Sequence, residues 1–473
     1  MPTLPIPFSP MNKSADKPSM SVFNQDMRDG YWQEYISPDG PKMIWAKRPG
    51  LTLFVNLGES STIDGLHYWV RQQKLMCVTN HKIFKVLSTA SFSDVTGTAL
   101  MSAVIPVRFA DVLGTTLYAA NSFRIAAIPY NTNAAYIADA DAPTAVRFVA
   151  PINRKLVALQ DLSEFFHWSE PGDPTDWQGQ TATLENQPDL GLSMFYSAGY
   201  LWFHGQSSIE VWRDDGVSFA REGQGAIQRG NIAKYSVTEI NGSFYWLDQN
   251  REVCRLTGFT VGVISNPNLS RYLKSFSAVS DAQGDYLKIE GRHFYVLSFP
   301  TEGKTLVYDI GLNMWYEWGY WNAGSAQYEA WKGNCVTDAT DWNKVLVGDR
   351  LSSLIYEMGG TTDNGDTIRT VITTDGVDRG QPNVNKFCHE LVLQFKRADT
   401  ATTPKSMTIK WRDDGSTTWQ TERTEAIEAQ SKTDLIVKAR RLGKYRQRHW
   451  QFIMTDATQA ALTGAWETFD FGK

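Results

Sequence analysis

The strongest constraint on this chain is a recurrence. Seven stretches share one form, an apolar or aromatic run, a polar turn and a second apolar run. They are Trp69–Leu87, Thr116–Ile128, Lys155–Trp168, Tyr200–Trp212, Ser243–Leu256, His293–Ile310 and Lys344–Tyr356. Their turns centre near Asn80, Asn121, Asp161, Gln206, Gln249, Glu302 and Arg350, at intervals of about 41, 40, 45, 43, 53 and 48 residues. A period of roughly 40–50 residues in a strand-only context is the size of one propeller blade. A lone blade cannot bury both faces of its small sheet, whereas radial stacking does so with large side chains between blades. The other arrangement built from hairpins is an ordinary sandwich, and only the longer period separates the two.

The flanks read differently. Residues 1–60 are expected to form an extended N-terminal arm and a first strand, since Pro is frequent there and Ser14–Ser19 has a loop composition. Residues 61–360 carry the recurrence and are expected to form a propeller of six to seven blades. The polar break Thr361–Asp366 ends it. Beyond it Ile368–Thr373, Cys388–Phe395, Met407–Trp411, Leu435–Ala439 and His449–Met454 are strand candidates, which suggests a small C-terminal β-sandwich over 361–473, the part expected to form a ring or dock a partner. The fold class is all-β, and no long amphipathic helix pattern is present.

Composition sets outer bounds. A hydrophobic content of 42% with 21% charged residues is globular, and a chain of 473 residues buries enough surface to fold without disulfide or metal. The net charge of −5 argues against a protein that coats nucleic acid, where affinity comes from a basic surface. No apolar run reaches the roughly 18 residues of a membrane span, and the opening Met1–Pro7 lacks the pattern of a secretion signal, so the chain is expected to fold in a cytoplasm. Cys77, Cys254, Cys335 and Cys388 are far apart and read as small apolar residues. Seventeen Trp residues read as packing between sheets, with an aromatic binding platform as the alternative.

Little in the sequence suggests chemistry. The loop His167–Trp177 holds Glu170, Asp173 and Asp176, acids of the type a glycosidase pairs, but its Pro171-Gly172 and Asp173-Pro174 steps mark a turn with solvated acids. Trp411–Trp419 resembles the Asp-box turn of sialidase-like propellers, in which the Asp caps a hairpin and the Trp packs beneath it; this is a structural motif and occurs once. There is no phosphate-binding Gly loop, nucleophile elbow or zinc-protease motif, and His67, His81, His167, His204, His293, His389 and His449 show no metal-ligand spacing. No catalytic, cofactor or metal residue is assigned, and no cofactor is expected. One cluster stands out: Lys438, Arg440, Arg441, Lys444, Arg446 and Arg448 put six basic residues in eleven. Residues 361–473 hold 17 basic and 15 acidic side chains, about +2, which leaves about −7 for the rest. The cluster is either a solvated strand–turn–strand face or an interface to an acidic protein or phosphate.

Several segments together resemble the packaged-DNA stabilisation proteins of short-tailed phages, the tail hub or nozzle component. They are Phe23-Asn24-Gln25, Lys47-Arg48-Pro49-Gly50-Leu51, the Trp168–Trp177 loop, Gly205–Trp212, Leu306-Val307-Tyr308-Asp309 with Trp315, and the basic run Arg440–Arg446, in family order over most of the chain. Ser207-Ser208 departs from the family's Ser-Thr, and the N-terminal arm is distinct. The resemblance implies a non-enzymatic virion tail protein made in a bacterial host cytoplasm. It implies a hexameric ring below the portal adaptor that extends and closes the DNA channel, lets double-stranded DNA pass, supports needle or tailspike proteins and touches no membrane. The basic run is then expected to dock protein more than to grip DNA. Two other classes stay open, a receptor- or glycan-binding tail protein with or without hydrolase activity, and a cellular propeller scaffold that binds peptides.

Overall fold

The computed structural model describes residues 2–8, 26–37, 40–102, 106–184, 190–222, 227–397, 405–420, 422–427, 434–457 and 460–472. Phe23-Asn24-Gln25 and Ser14–Ser19 lie outside them. Seven four-stranded antiparallel sheets form the recurrent part. Six are made of consecutive strands, spanning 63–94, 108–136, 146–183, 191–221, 238–263 and 283–322. The seventh takes three strands from 333–358 and its outermost strand, Leu51–Asn56, from the N-terminal side, paired antiparallel with Leu354–Met358. The first strands of the blades meet around a common axis. Each of the seven recurring sequence units is the middle hairpin of one blade. The blade number is thus seven.

Local chemistry explains the hairpins. Asn80 and His81, Asn153 and Arg154, Asn241 and Gly242, and Glu290 and Gly291 all take positive φ in successive pairs. Two such residues in a row make the tight turn whose twist matches the flanking strands, and Asn and Gly adopt it at least cost. The aromatics fill the space between sheets. Phe166 packs on Phe203 of the next blade at 4.6 Å and on Trp212 at 5.2 Å. Trp69, Trp177, Trp246, Trp318 and Trp331 are fully buried. The Trp content is therefore used in packing. The one α-helix among the described residues, Pro267–Lys274, was not expected; Asn266 caps it by accepting from the Leu269 N–H at 2.8 Å, and Pro267 opens it.

Two further sheets hold most of the remaining strands. One runs Gly30–Ser37, Gly40–Lys47, Ala460–Phe471, Lys386–Arg397 and Asp434–Arg440 in spatial order. The other runs Thr370–Thr373, Arg448–Met454, Lys405–Asp413 and Arg423–Ile427. Leu391, Leu393, Phe395, Ile409, Phe452 and Trp450 share one core with Trp32 and Trp45. All five C-terminal strand candidates are strands. The N-terminal segment, expected as an arm, instead supplies an eight-by-eight-residue hairpin to the first of these sheets. Met27–Arg28 pairs with Thr370–Thr373 on one side and with the sixth blade at Glu317 on the other, so the second sheet is continuous with that blade.

The chain passes from these sheets to the propeller at Arg48-Pro49-Gly50. Arg48 is fully buried. Its Nε donates to Asp29 at 2.8 Å, its two Nη atoms grip Asp363 at 2.9 and 2.6 Å, and one donates to the Gly319 carbonyl at 2.9 Å. Burial alone would lower the Arg48 pKa, but Asp363 and Asp29 outweigh it and raise it, so the guanidinium stays charged. Gly50 runs against the Thr362 backbone so closely that a Cβ would lie 2.1 Å from its carbonyl oxygen. Arg48→Met leaves two carboxylates buried without their cation, and the unfolding free energy falls by about 3–5 kcal/mol. Urea titration of the two proteins measures this, and a loss below about 1 kcal/mol would show that the junction does not depend on Arg48.

Candidate docking edge and axial cavities

The basic cluster occupies an exposed sheet edge. Among the described residues Asp434–Arg440 is the outer strand of its sheet, paired on one side only, with Lys386–Arg397. Strand alternation turns Val437 and Ala439 inward and leaves Ile436, Lys438 and Arg440 outside. Glu390 of the neighbouring strand faces two of them, at 2.9 Å from Arg440 and 3.9 Å from Lys438. Arg441 then turns the chain with φ 60°, and Lys444 pairs along the backbone with Phe387. Arg441 and Lys444 are exposed and make no ion pair among the described residues. Arg446 lies 3.6 Å from Asp414, whose carboxylate also accepts from the Arg446 and Gln447 N–H groups at 2.7 and 2.9 Å.

Arg448 does not belong to this surface. It is fully buried, gripped by both oxygens of Asp413 at 2.7 and 2.8 Å, and stacked over Tyr445 at 4.4 Å and Trp450 at 5.0 Å. The exposed group is thus Lys438, Arg440, Arg441, Lys444 and Arg446. One aromatic beside it was missed, Phe387, 44% exposed and opposite Lys444 in the ladder. Nothing in a strand pattern distinguishes an outward aromatic from an inward one when the facing sheet is unknown.

The acidic loop is a set of turn caps. Asp173 accepts from the Thr175 N–H and hydroxyl at 3.0 and 2.6 Å, and these bonds hold its pKa below the usual carboxylate range. Asp176 accepts from Gln178 at 2.6 Å and Glu170 from Gln180 at 2.8 Å. Each acid has its own local partner, and Trp177 is buried beneath. In the Asp-box-like segment, Asp413 and Asp414 are committed to Arg448 and to the 446–447 backbone, as a structural turn requires. Among the described residues no group of His, Cys, Asp and Glu could hold a metal ion, and no helix is long and apolar enough to cross a membrane. All four cysteines are free thiols, three of them buried.

Two cavities open along the propeller axis. One, of about 330 Å³, is lined by the first strands of blades one to four and includes His67, Arg108, Phe109 and Phe195. The other, of about 380 Å³, includes Asp64, Gln283, Asn334 and Arg350. Asp285 lies on the first strand of the sixth blade, and burial raises its pKa to about 7 against the pull of Arg108.

Seven stacked blades around an axis, joined to a second unit with a charged edge strand, define a β-propeller protein with an added β unit. The sequence is matched over residues 39–363 by the phage stabilisation family, described as bacteriophage P22 Gp10, beta-propeller. The chain belongs to that family, whose members are structural proteins of the phage virion. No curated protein matches it. Among solved structures it is similar to a streptogramin B lyase (12% identity, TM-score 0.45, covering 66% of this chain and 97% of that one). It is also similar to the virginiamycin B lyase of Staphylococcus aureus (10%, 0.44, 70% and 99%) and to the designed protein Ika8 (10%, 0.39, 65% and 99%).

Two outcomes follow from these environments. Arg448→Gln strips Asp413 of a buried partner and costs about 3 kcal/mol or more, whereas Arg446→Gln, at an exposed pair, changes stability by less than about 1 kcal/mol; denaturant melts of both variants check the contrast. Asp285 titrates higher in the folded chain than its ordinary value of 3.8. Its contribution is therefore complete below that value and is lost as pH rises through about 7. The Tm of Asp285→Asn should exceed that of the unaltered protein at pH 8 and approach it at pH 4; equal differences at both pH values would contradict the assignment.

Proposed function

We propose that this protein is the tail hub or nozzle of a short-tailed phage. In this reading it forms a ring, expected to be hexameric, beneath the portal adaptor. The ring prolongs the DNA channel, retains the packaged genome and carries needle or tailspike proteins below. The observation that carries the reading is the family match across the propeller, joined to a second unit that presents a charged edge strand. The two C-terminal sheets are read here as layers of a small sandwich that provides the docking part. Arg441 and Lys444 make no ion pair among the described residues, and Phe387 stands opposite Lys444, so the corner combines charge with apolar area, as protein–protein contacts do. The surplus positive charge is small and local, which suits protein docking better than DNA retention by phosphate contacts.

Particles assembled without this gene product test the reading. Heads should fill and then leak, so that genome-length nuclease-protected DNA is lost after packaging. Heads that stay full but fail to adsorb would favour a distal, receptor-binding role instead. The double reversal Arg440→Glu, Arg441→Glu should leave the Tm of the isolated protein within a few degrees and abolish its addition to adaptor-bearing heads, followed by co-sedimentation. Normal addition of that variant would remove the edge from the docking surface.

A further inference from the structure

Most buried bases of this chain hold a carboxylate directly. Lys155 lies 2.8 Å from Asp214, Arg379 2.8 Å from Glu467 and Arg448 2.7 Å from Asp413. Arg108, half-buried on the first strand of the second blade, does not. Its guanidinium stands 5.8 Å from the ring centre of Phe148 and 5.6 Å from that of Tyr235. It makes no ion pair among the described residues, and its Nε is buried without a hydrogen-bond partner. Burial lowers its pKa, and Asp285 opposes this through its field alone. An arginine keeps its charge even so.

Arg108 lines the axial cavity of about 330 Å³, a volume that suits a small organic molecule. No acidic side chain lines that cavity. Its walls include Leu66, Phe109, Phe195 and Tyr196. His67 stacks on Phe109 at 5.4 Å, and burial lowers its pKa to about 4, so it adds no charge at neutral pH. The cavity thus offers one cation and planar apolar walls, with no acid in its lining among the described residues; Asp285 acts on Arg108 only from outside it.

We propose that this cavity binds a singly charged carboxylate carried on an apolar or aromatic stem. The carboxylate would give the Arg108 fork the charge-assisted partner it lacks, and the aromatic walls would take the stem. A doubly charged phosphate fits worse, because its second charge meets no second cation in the lining and adds to the repulsion from Asp285, whose field reaches Arg108. The same chemistry is offered by a small free acid and by the C-terminal residue of a peptide chain.

Saturation-transfer NMR on the full chain tests this with four probes: phenylacetate, phenylacetamide, N-acetyl-Leu-Phe with a free carboxylate, and its C-terminal amide. At least one acid should bind saturably, its amide about tenfold or more weakly, and Arg108→Met should lose the acid to a similar extent with no fall in Tm. Tighter binding of the dipeptide acid than of phenylacetate assigns a chain terminus; the reverse assigns a small acid. Absence of saturable binding by both acids, equal binding of acids and amides, or unchanged binding in a folded Arg108→Met protein overturns the proposal. The acid–amide comparison on the unaltered chain decides even where the variant fails to fold.

Discussion

The structure depends on the grip of Arg48 on Asp29 and Asp363. A propeller must join its first and last blades, and here the joining strand, Leu51–Asn56, precedes the rest of its blade by roughly 300 residues. Closing a loop of that length costs about 5 kcal/mol of chain entropy. The ladder between Leu51–Asn56 and Leu354–Met358 offsets part of this. Arg48 pins the approach to that strand, through Asp29, to the point where the chain leaves the seventh blade at Asp363. The guanidinium suits the task because its planar fork meets one carboxylate with two parallel bonds and still has donors for Asp29 and the Gly319 carbonyl. A lysine in its place would hold these groups through one point charge.

The same junction ties the two units together. Asp29 also accepts the Gly319 N–H at 3.0 Å, so the latch reaches the sixth blade as well as the seventh. Met27–Arg28 extends that blade into the second C-terminal sheet. Trp45 and Trp32 pack edge to face at 5.5 Å and bring the N-terminal hairpin onto Tyr316 of the same blade. The units are thus joined by backbone pairing, buried charge and aromatic packing at one place. A load on one passes into the other with no flexible linker between, as the proposed hub under the pressure of a packed genome would require.

The legible part of the fold was the part with local pattern. Middle hairpins of blades pair two strongly apolar strands across a short polar turn, so all seven stood out. Outer strands did not, because pieces such as Ala135–Tyr136 and Phe92–Asp94 are two or three residues long and mostly exposed. Ala460–Phe471 is a strand only because it meets partners far away in sequence, and its Gly and Ala content gives little propensity of its own. Arg448 was readable in principle. The period of two places it on the face of Trp450 and Phe452, which is the core face, whereas counting basic residues in a window discards that alternation. The Arg48 fork was visible only as a resembling tripeptide, since neither acid that gives it meaning is near in sequence.

The basic edge has an explanation that needs no partner, and the geometry limits how far that explanation goes. Open edge strands invite pairing with other chains, and outward Lys and Arg discourage it. Lys438 and Arg440 fit that purpose, being on the edge strand and balanced by Glu390. Arg441 and Lys444 do not, for they lie past the end of that strand. Lys444 is in a two-residue segment paired with Lys386–Phe387, and no carboxylate balances either residue. An exposed aromatic, Phe387, opposite Lys444 raises the tendency to associate, the opposite of what a protected edge needs. The cluster therefore divides into three parts: a guarded edge at Lys438 and Arg440, a core ion pair at Arg448, and a free corner at Arg441 and Lys444. A docking partner would meet the corner first.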